Sequence, residues 1–491
     1  MESADQKSPR QTMEQIKDKE NQLDSRKWWV LLAIGISTFM SALDGSVVNT
    51  VLPVIRVALK SQVADVEWVV IIYLLVVSGL LLSFGRLGDL RGHRPVFLGG
   101  FFVFIGASVL CSFSSSVGAL VTFRGLQALG ASSLQANSPA ILTKSFPARQ
   151  RGQALGMQAT MTYLGLTVGP TLGGWLTQAF GWRSVFFINV PVGLTAMLLA
   201  MRFVPHDEGR TRRESFDVLG ASTFMVGLIM LLLGLNRGQE WGWFSAPILL
   251  LLTTSALLLA AFVWIENRSP SPMLDLSLFR RRLFSTSVTS AVFNYICVYS
   301  ITFLMPFYLI DGRNLNPAQA GMLLSAMPVV MAVVAPISGT LSDRIGSRIP
   351  ATFGMAILAA GLYLTSRLGP QATTAQIVFA LAISGLGIGI FISPNNSALM
   401  GSAPRNRQGI AAGMLATARN SGMALGVGIA GAVYTTVLAR SGGLASGLYL
   451  AIKVSFLVAT GVAVLGLMTA AIRGEIEAGQ ISSVETLGQA D

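Results

Sequence analysis

Charge is scarce in this chain. Asp, Glu, Lys and Arg make up 12% of its 491 residues, while 52% are hydrophobic. Soluble domains carry about 25% charged residues, so a chain of this size with so few is solvated chiefly by lipid. Cysteine and histidine are scarcer still. Cys111 and Cys297 stand in separate apolar runs, and His93 and His206 fall in predicted loops. Neither a disulfide framework nor a metal site follows from such spacing. The dipeptide Gly-Lys occurs nowhere, which removes the phosphate-binding loop needed for ATP hydrolysis. The chain therefore reads as a non-enzyme without cofactor or metal, with an ion gradient as its energy source. An apolar secretory leader is missing too. Residues 1–27 are polar, with charges from Glu2 to Lys27, which fits a retained cytosolic tail.

What the chain has in abundance is long apolar runs. A helix needs about 20 apolar residues to cross the hydrocarbon core. Runs of that kind lie near 28–51, 67–86, 95–114, 117–143, 152–179, 184–204, 216–236, 246–266, 285–310, 318–341, 350–367, 374–400, 408–437 and 447–472. With the N-terminus in the cytosol, 25 Lys and Arg residues fall on inner loops and tails and 8 on outer loops. That is the positive-inside pattern, with both termini cytosolic. It accounts for a pI near 10.1 without nucleic acid as a partner.

The stretch Gly85-Arg86-Leu87-Gly88-Asp89-Leu90-Arg91-Gly92-His93-Arg94-Pro95 joins spans 2 and 3. A shorter echo, Gly339-Thr340-Leu341-Ser342-Asp343-Arg344-Ile345-Gly346-Ser347-Arg348, joins spans 10 and 11, 254 residues further on. A loop used twice, half a chain apart, points to a duplicated helical bundle, the architecture of a secondary transporter. The copies lie eight spans apart, where a plain six-plus-six duplication needs six. The expected fold is an all-α polytopic membrane protein of fourteen helices. It has a tail (1–27), a six-helix bundle (28–204), linkers with two inserted helices (205–284), a second six-helix bundle (285–472) and a cytosolic tail (473–491). In the linker, Leu274, Leu278 and Phe279 are expected on the membrane face as a short interfacial helix. Gly85, Gly88 and Gly92 fit a tight turn.

A charge at mid-bilayer costs roughly 2.5–3.5 kcal/mol on insertion scales, so each one inside a span needs a reason. Asp44 is the only acid well inside a span, with Glu67, Asp217 and Glu266 at span ends. At about 1.5 Å per residue, Asp44 on span 1 and Arg124 on span 4 reach similar depth in the outer half. They form either a structural ion pair or a proton site whose affinity Arg124 tunes, and the second reading is favoured. Span 5 carries Gly165, Gly169 and Gly173 at four-residue spacing, with Pro170 and Gly174 beside them. Span 13 has Ala418, Gly422, Gly426 and Ala430 in the matching place. Such stripes let helices approach closely, and their equivalence places them at the seam between the bundles. Arg419 lies near the midplane of span 13 without an obvious acidic partner. Asn49, Gln127, Gln158, Met161, Asn294, Tyr295 and Tyr299, with Asp44 and Arg419, are the candidate substrate contacts.

These motifs resemble the major facilitator superfamily, and within it the fourteen-helix drug/proton antiporter family. The Gly85–Pro95 loop resembles its signature between helices 2 and 3. Leu43-Asp44-Gly45-Ser46-Val47-Val48-Asn49-Thr50-Val51-Leu52-Pro53 resembles its helix 1 motif, with Gly45 and Ser46 where Thr is commoner. Arg124-Gly125-Leu126-Gln127-Ala128-Leu129-Gly130 matches the helix 4 motif, and Gly165–Gly174 the helix 5 antiporter motif. Trp182-Arg183 followed by Asn189-Val190-Pro191 is similar to the entry to helix 6. The resemblance implies that Asp44 is the protonation site and Arg124 its partner. It also implies a charge latch from Asp89, Arg91 and Arg94, with Gly85 and Gly92 in the loop and Asp343 and Arg344 in the echo, that steadies the outward-facing state.

The function expected from all this is proton-coupled multidrug efflux of lipophilic, cationic compounds by alternating access, with proton and substrate competing for the Asp44 region. Its partners are lipophilic small molecules, protons and membrane lipids. It is expected to act as a monomer in a bacterial plasma membrane and to contribute to antibiotic resistance. The alternatives are an exporter of an endogenous lipid or metabolite on the same fold, and a membrane sensor that does not transport.

Overall fold

The computed structural model describes residues 9–147, 150–206, 218–268, 276–402, 408–441 and 445–473, and no strand occurs among them. The first bundle comprises α1 (Pro9–Ala58), α2 (Val63–Arg91), α3 (His93–Ser112), α4 (Val117–Ser145), α5 (Arg151–Phe180), the single turn α6 (Ser184–Phe187) and α7 (Asn189–Phe203). Two further helices follow, α8 (Val218–Trp241) and α9 (Ala246–Arg268). The second bundle comprises α10 (Arg282–Phe307), α11 (Pro317–Leu324), α12 (Ala326–Ile345), α13 (Arg348–Ser366), α14 (Thr374–Ser402), α15 (Gln408–Arg440) and α16 (Ala445–Ala471). These helices cover the predicted runs in order, with α6–α7 and α11–α12 each forming one interrupted run. The first helix starts inside the polar tail, before its membrane-length part Arg26–Ala58.

Among the described residues, eleven stretches are long and apolar enough to cross a membrane. The runs outside that set are α4 and α5, which carry the polar residues of the site, and α8, whose described apolar part is the shorter Ser222–Gly238. Large apolar side chains such as Phe102, Phe113, Val333 and Phe353 are exposed on the outer surface. In water this would be a liability. In a multi-pass membrane protein it is the surface that lipid solvates.

Local chemistry sets the helix ends. Ser116 caps α4 by accepting from Ala119 N at 3.2 Å. Asn316 and Gln319 form a reciprocal capping box around Pro317 at the start of α11, which satisfies otherwise orphaned amides. Only Gly92 in the first repeated loop and Gly346 in the second have positive φ, at 92° and 80°. They are 254 residues apart, and each makes the sharp turn between its two helices. Gly85 and Gly88 belong to α2 instead of the turn. Gly88 lies directly against the Asn137 amide and the His93 ring, leaving no room for a Cβ.

The duplication is visible in the packing. Gly100 of α3 crosses Gly130 of α4 at backbone distance, and Gly354 of α13 crosses Gly387 of α14 in the same way. The small-residue stripes repeat too, but not at the seam. A Cβ on Gly165 would sit 2.7 Å from Phe39 O, and one on Gly173 would sit 2.7 Å from Val47 Cγ1. Cβ atoms on Gly422 and Gly426 would meet Val292 O at 2.8 Å and Ile296 O at 2.6 Å. Each stripe therefore packs against the first helix of its own bundle, α1 or α10. Bare glycine faces let these helix pairs cross at backbone distance inside each bundle.

The bundles meet through other residues. Gly174 lies against Pro317 O and Gly321 against Pro170 O. The Thr171 and Ser325 hydroxyls are hydrogen-bonded at 2.7 Å, and Arg56 pairs with Asp311 at 2.9 Å. Gly431 of α15 covers the Glu67 carboxylate of α2. All of these contacts lie in the helix halves remote from the chain termini. Of the two additional helices, α8 is wedged against both α2 and α15, while α9 packs chiefly on α8. Leu278, expected on the membrane face, is instead buried among Phe284, Leu399 and Met414 at the end of the second bundle. Phe279 packs edge-on against Phe284. Leu274 lies outside the described residues.

Candidate functional site

Six helices converge on Asp44. Its carboxylate is wholly buried, and Arg124 Nη1 donates to Oδ2 at 2.5 Å. Oδ1 accepts from Gln127 Nε2 at 3.0 Å and from Asn189 Nδ2 at 2.7 Å. Gln127 also donates to Ser108 Oγ at 2.8 Å and accepts from Arg124 Nη1 at 2.7 Å. The Arg124 Nε donates to Val69 O at 3.1 Å. Its guanidinium lies 4.2 Å from the centre of the Tyr73 ring and 5.9 Å from that of Phe186. Thus α1 supplies the acid, α4 the cation, and α2, α3, α6 and α7 hold the two in register. A buried carboxylate with three charge-assisted or amide donors is fully satisfied in its ionised form. These donors also tie the carboxylate of α1 to α4 and α7.

Beside the pair, between the bundles, lies a cavity of about 450 Å³. It extends from Asn49 and Pro170 toward Gln135 and Pro139 of α4 and Asn396 of α14, that is, from the closed end toward the end bearing the termini. Among the predicted substrate contacts, Asn49, Gln158, Tyr295, Tyr299 and Arg419 line it, as does Arg124. The others do not. Asp44 and Gln127 are turned into the buried network, so direct competition between proton and substrate for Asp44 has no geometric basis in this conformation. Met161 packs against Gly35 of α1. Asn294 is buried inside the second bundle and donates to Met355 Sδ at 3.6 Å.

The Gly165–Gly174 stretch divides by face. Gly165, Gly169 and Gly173 bear on α1, and Pro170 and Gly174 bear on the second bundle. In the loop, Arg91 is exposed, and Arg94 donates to Met201 O at 2.5 Å and meets His206. Arg348, 254 residues after Arg94, donates to Ala471 O at 2.9 Å. Arg94 and Arg348 thus each hold the sixth run of their own bundle, a role not foreseen in the latch expectation. Arg344 is exposed. The side chains of Asp89 and Asp343 lie outside the described ones.

Two residues of this region escaped the sequence reading. Asn189 was read as part of a helix entry, though an amide at the start of an apolar run is itself a sign of a buried polar partner. Glu67 was placed at a span end. It is fully buried at the junction of α2, α8 and α15 and accepts from Asn236 Nδ2 at 2.6 Å. Trp68 Nε1 donates to Asn236 Oδ1 at 2.9 Å and orients that amide.

The family model described as Major Facilitator Superfamily matches residues 34–427 and also residues 288–481. A Clostridioides difficile protein named Riboflavin transporter RibZ is 35% identical over 402 residues, covering 82% of this chain and 87% of that protein. A Mycobacterium tuberculosis protein named Multidrug resistance protein Stp is 32% identical over 412 residues, covering 84% of this chain and 76% of that protein. In architecture the chain resembles the crystal structure of a bacterial homolog of the human lysosomal transporter Spinster. The TM-score is 0.65 over 90% of this chain and 97% of that one, at 16% identity, a likeness of fold alone.

Proposed function

The chain belongs to the Major Facilitator Superfamily, among its efflux transporters, and from that premise we propose that it is a proton-coupled antiporter exporting lipophilic compounds by alternating access. The observation that carries the reading is the Asp44–Arg124 pair, enclosed at the closed end of a cavity between two bundles. The distribution of Lys and Arg supports a topology with both termini in the cytosol, and fourteen crossings of a bacterial plasma membrane are part of the proposal. The closed end then faces outward and the cavity opens to the cytosol. Cargo enters that cavity from the cytosol or the inner leaflet.

Coupling runs through the helices. With Asp44 ionised, Arg124 binds α4 to α1 and, through Val69 O, to α2. When a proton neutralises Asp44, Arg124 loses its ionic partner and keeps Val69 O, Gln127 and the Tyr73 face. The α1–α4 tie weakens, and the contacts that close the outer end, Gly174–Pro317 and Gly431–Glu67 among them, separate. Glycines at those contacts permit close backbone approach without interlocking side chains. The repeated loops, Gly85 to Pro95 and its echo, are proposed to approach each other when the cytosolic end closes.

Cationic cargo was expected on the premise that Asp44 meets it. Among the described residues no Asp or Glu lines the cavity, so we leave that premise aside. The similarity to a protein named for riboflavin transport favours, as a second reading, export of an endogenous metabolite on the same scaffold. The protein is proposed to act as a monomer within the lipid bilayer.

The test is reconstitution into liposomes under an imposed pH gradient, following internal pH alongside a panel of fluorescent lipophilic compounds. Export should consume the gradient, and Asp44→Asn should abolish gradient-driven movement while leaving downhill exchange. Undiminished gradient-driven transport in Asp44→Asn refutes the assignment of Asp44.

A further inference from the structure

The cavity has an electrostatic asymmetry that neither the pair at Asp44 nor the family assignment explains. Arg419 of α15 lines it, and among the described residues no hydrogen bond or ion pair engages its guanidinium. The side chains close enough to feel its charge are the tyrosines Tyr163 of α5 and Tyr295 and Tyr299 of α10. Beside it on the chain, Asn420 also lines the cavity. It is only 4% exposed, and its amide nitrogen lacks a hydrogen-bond partner among the described residues. The α15 wall therefore presents two adjacent groups of unused donors. Across the cavity, the α1 wall offers unused oxygens, Asn49 Oδ1 and Ser41 Oγ. Arg124 reaches the lining as well, but its charge is balanced by Asp44.

A buried or semi-buried cation without a counter-ion is costly unless something else supplies the negative charge. No acid of the cavity lining does so here, and the protein's own acid is committed to Arg124. We propose that the missing partner is the cargo: an aromatic compound bearing an acidic oxygen, a carboxylate or phenolate, that pairs with Arg419 and Asn420 while its rings lie against the tyrosines. Guanidinium groups favour such oxygens because they donate two hydrogen bonds in one plane. The thioethers of Met327, Met331 and Met423 complete the wall with a soft, adaptable apolar surface. A volume of about 450 Å³ lies within the range of small-molecule sites and admits a compound of a few fused rings. A lipophilic cation placed here meets an unscreened guanidinium and no carboxylate. The inference deepens the efflux reading by naming a cargo class, and it rests on that reading only for the direction of movement.

The experiment compares two dyes with the same xanthene core and opposite charge, fluorescein and rhodamine 123, by fluorescence polarisation on the purified full-length protein at neutral pH. No gradient is involved. Wild-type protein should bind fluorescein more tightly than rhodamine 123. Arg419→Gln should weaken fluorescein binding by about tenfold or more, the loss expected for one charge-assisted hydrogen-bonded contact, and leave rhodamine 123 unchanged. Arg419→Lys keeps the charge but not the planar pair of donors, so its fluorescein affinity should fall between those of the wild type and Arg419→Gln, which separates lost charge from lost folding. Preference of the wild type for rhodamine 123, absence of fluorescein binding, or equal losses for both dyes in Arg419→Gln overturns the proposal. Liposome transport tests the other reading separately. Intact charge-selective binding without gradient-driven export leaves the cargo class standing and removes the antiport reading. Gradient-driven export that ignores Arg419 does the reverse.

Discussion

Asp44 and Arg124 are each intolerable alone and stable together. Both are fully buried, so removing one leaves the other without its counter-ion. Asp44→Ala should lower stability by about 3–5 kcal/mol, read as a fall in unfolding temperature in detergent. The double change Asp44→Leu with Arg124→Met should cost far less than the two single losses added together, because neither charge is then left unpaired. Much of this pair was legible in the chain: counting residues from the span ends put both at one depth. Their clamps were not legible. Gln127 looked like a substrate contact and Asn189 like a helix start, because sequence spacing conveys depth and helix face but not which neighbour a face meets. The same blindness hid Arg473, just beyond α16. It is buried and bonds Asn395 of α14, and burial pushes its guanidinium down to about 10, so it remains cationic near neutral pH.

At the scale of elements, glycine positions sort into those that hold helices together and those that do not. In α5, Gly173 leaves no room for a methyl group beside Val47. Gly173→Ala should therefore destabilise by about 1–3 kcal/mol, the usual cost of overpacking. Gly106 of α3 has open space around it, and Gly106→Ala should be neutral or stabilising by up to about 1 kcal/mol through helix propensity. Thermal unfolding of the two variants side by side checks the contrast. Gly431 is different again, because its neighbour is a carboxylate on another bundle. Gly431→Ala should part α15 from α2 and raise thiol-reagent labelling of a cysteine placed at Thr435. The stripes themselves could be read from the chain. Their partners could not, since the face that suits a neighbouring bundle equally suits the helix beside it.

Among the described residues, hydrogen bonds, an ion pair and glycine contacts join the two bundles at the end remote from the chain termini. Thr171 and Ser325, on opposite bundles, are hydrogen-bonded at 2.7 Å, close enough for a disulfide between cysteines at these positions. The pair Thr171→Cys and Ser325→Cys should cross-link on oxidation, stop transport, and recover it on reduction. Formation of the cross-link without loss of transport means that the bundles do not separate at this end. The wedge of α8 between α2 and α15 belongs to this scale as well. It braces the seam through Asn236 and Glu67, and nothing in its near-featureless apolar sequence indicates which side of the bundles it joins.

The amino-acid sequence alone determined the class of molecule, its helical order and its duplication. Those follow from apolar run length, charge placement and a repeated loop, all of them properties of short stretches of chain. Even the turn of the loop was nearly readable, with Gly92 and Gly346 standing 254 residues apart as the two that bend. Tertiary structure decided the rest: that the glycine stripes close each bundle internally, that Asp44 faces away from the cavity, and that Arg419 faces into it uncompensated. These depend on the rotation of each helix about its axis and on the neighbour it meets across the membrane. Many residues on several helices set that rotation jointly, and no local stretch encodes it.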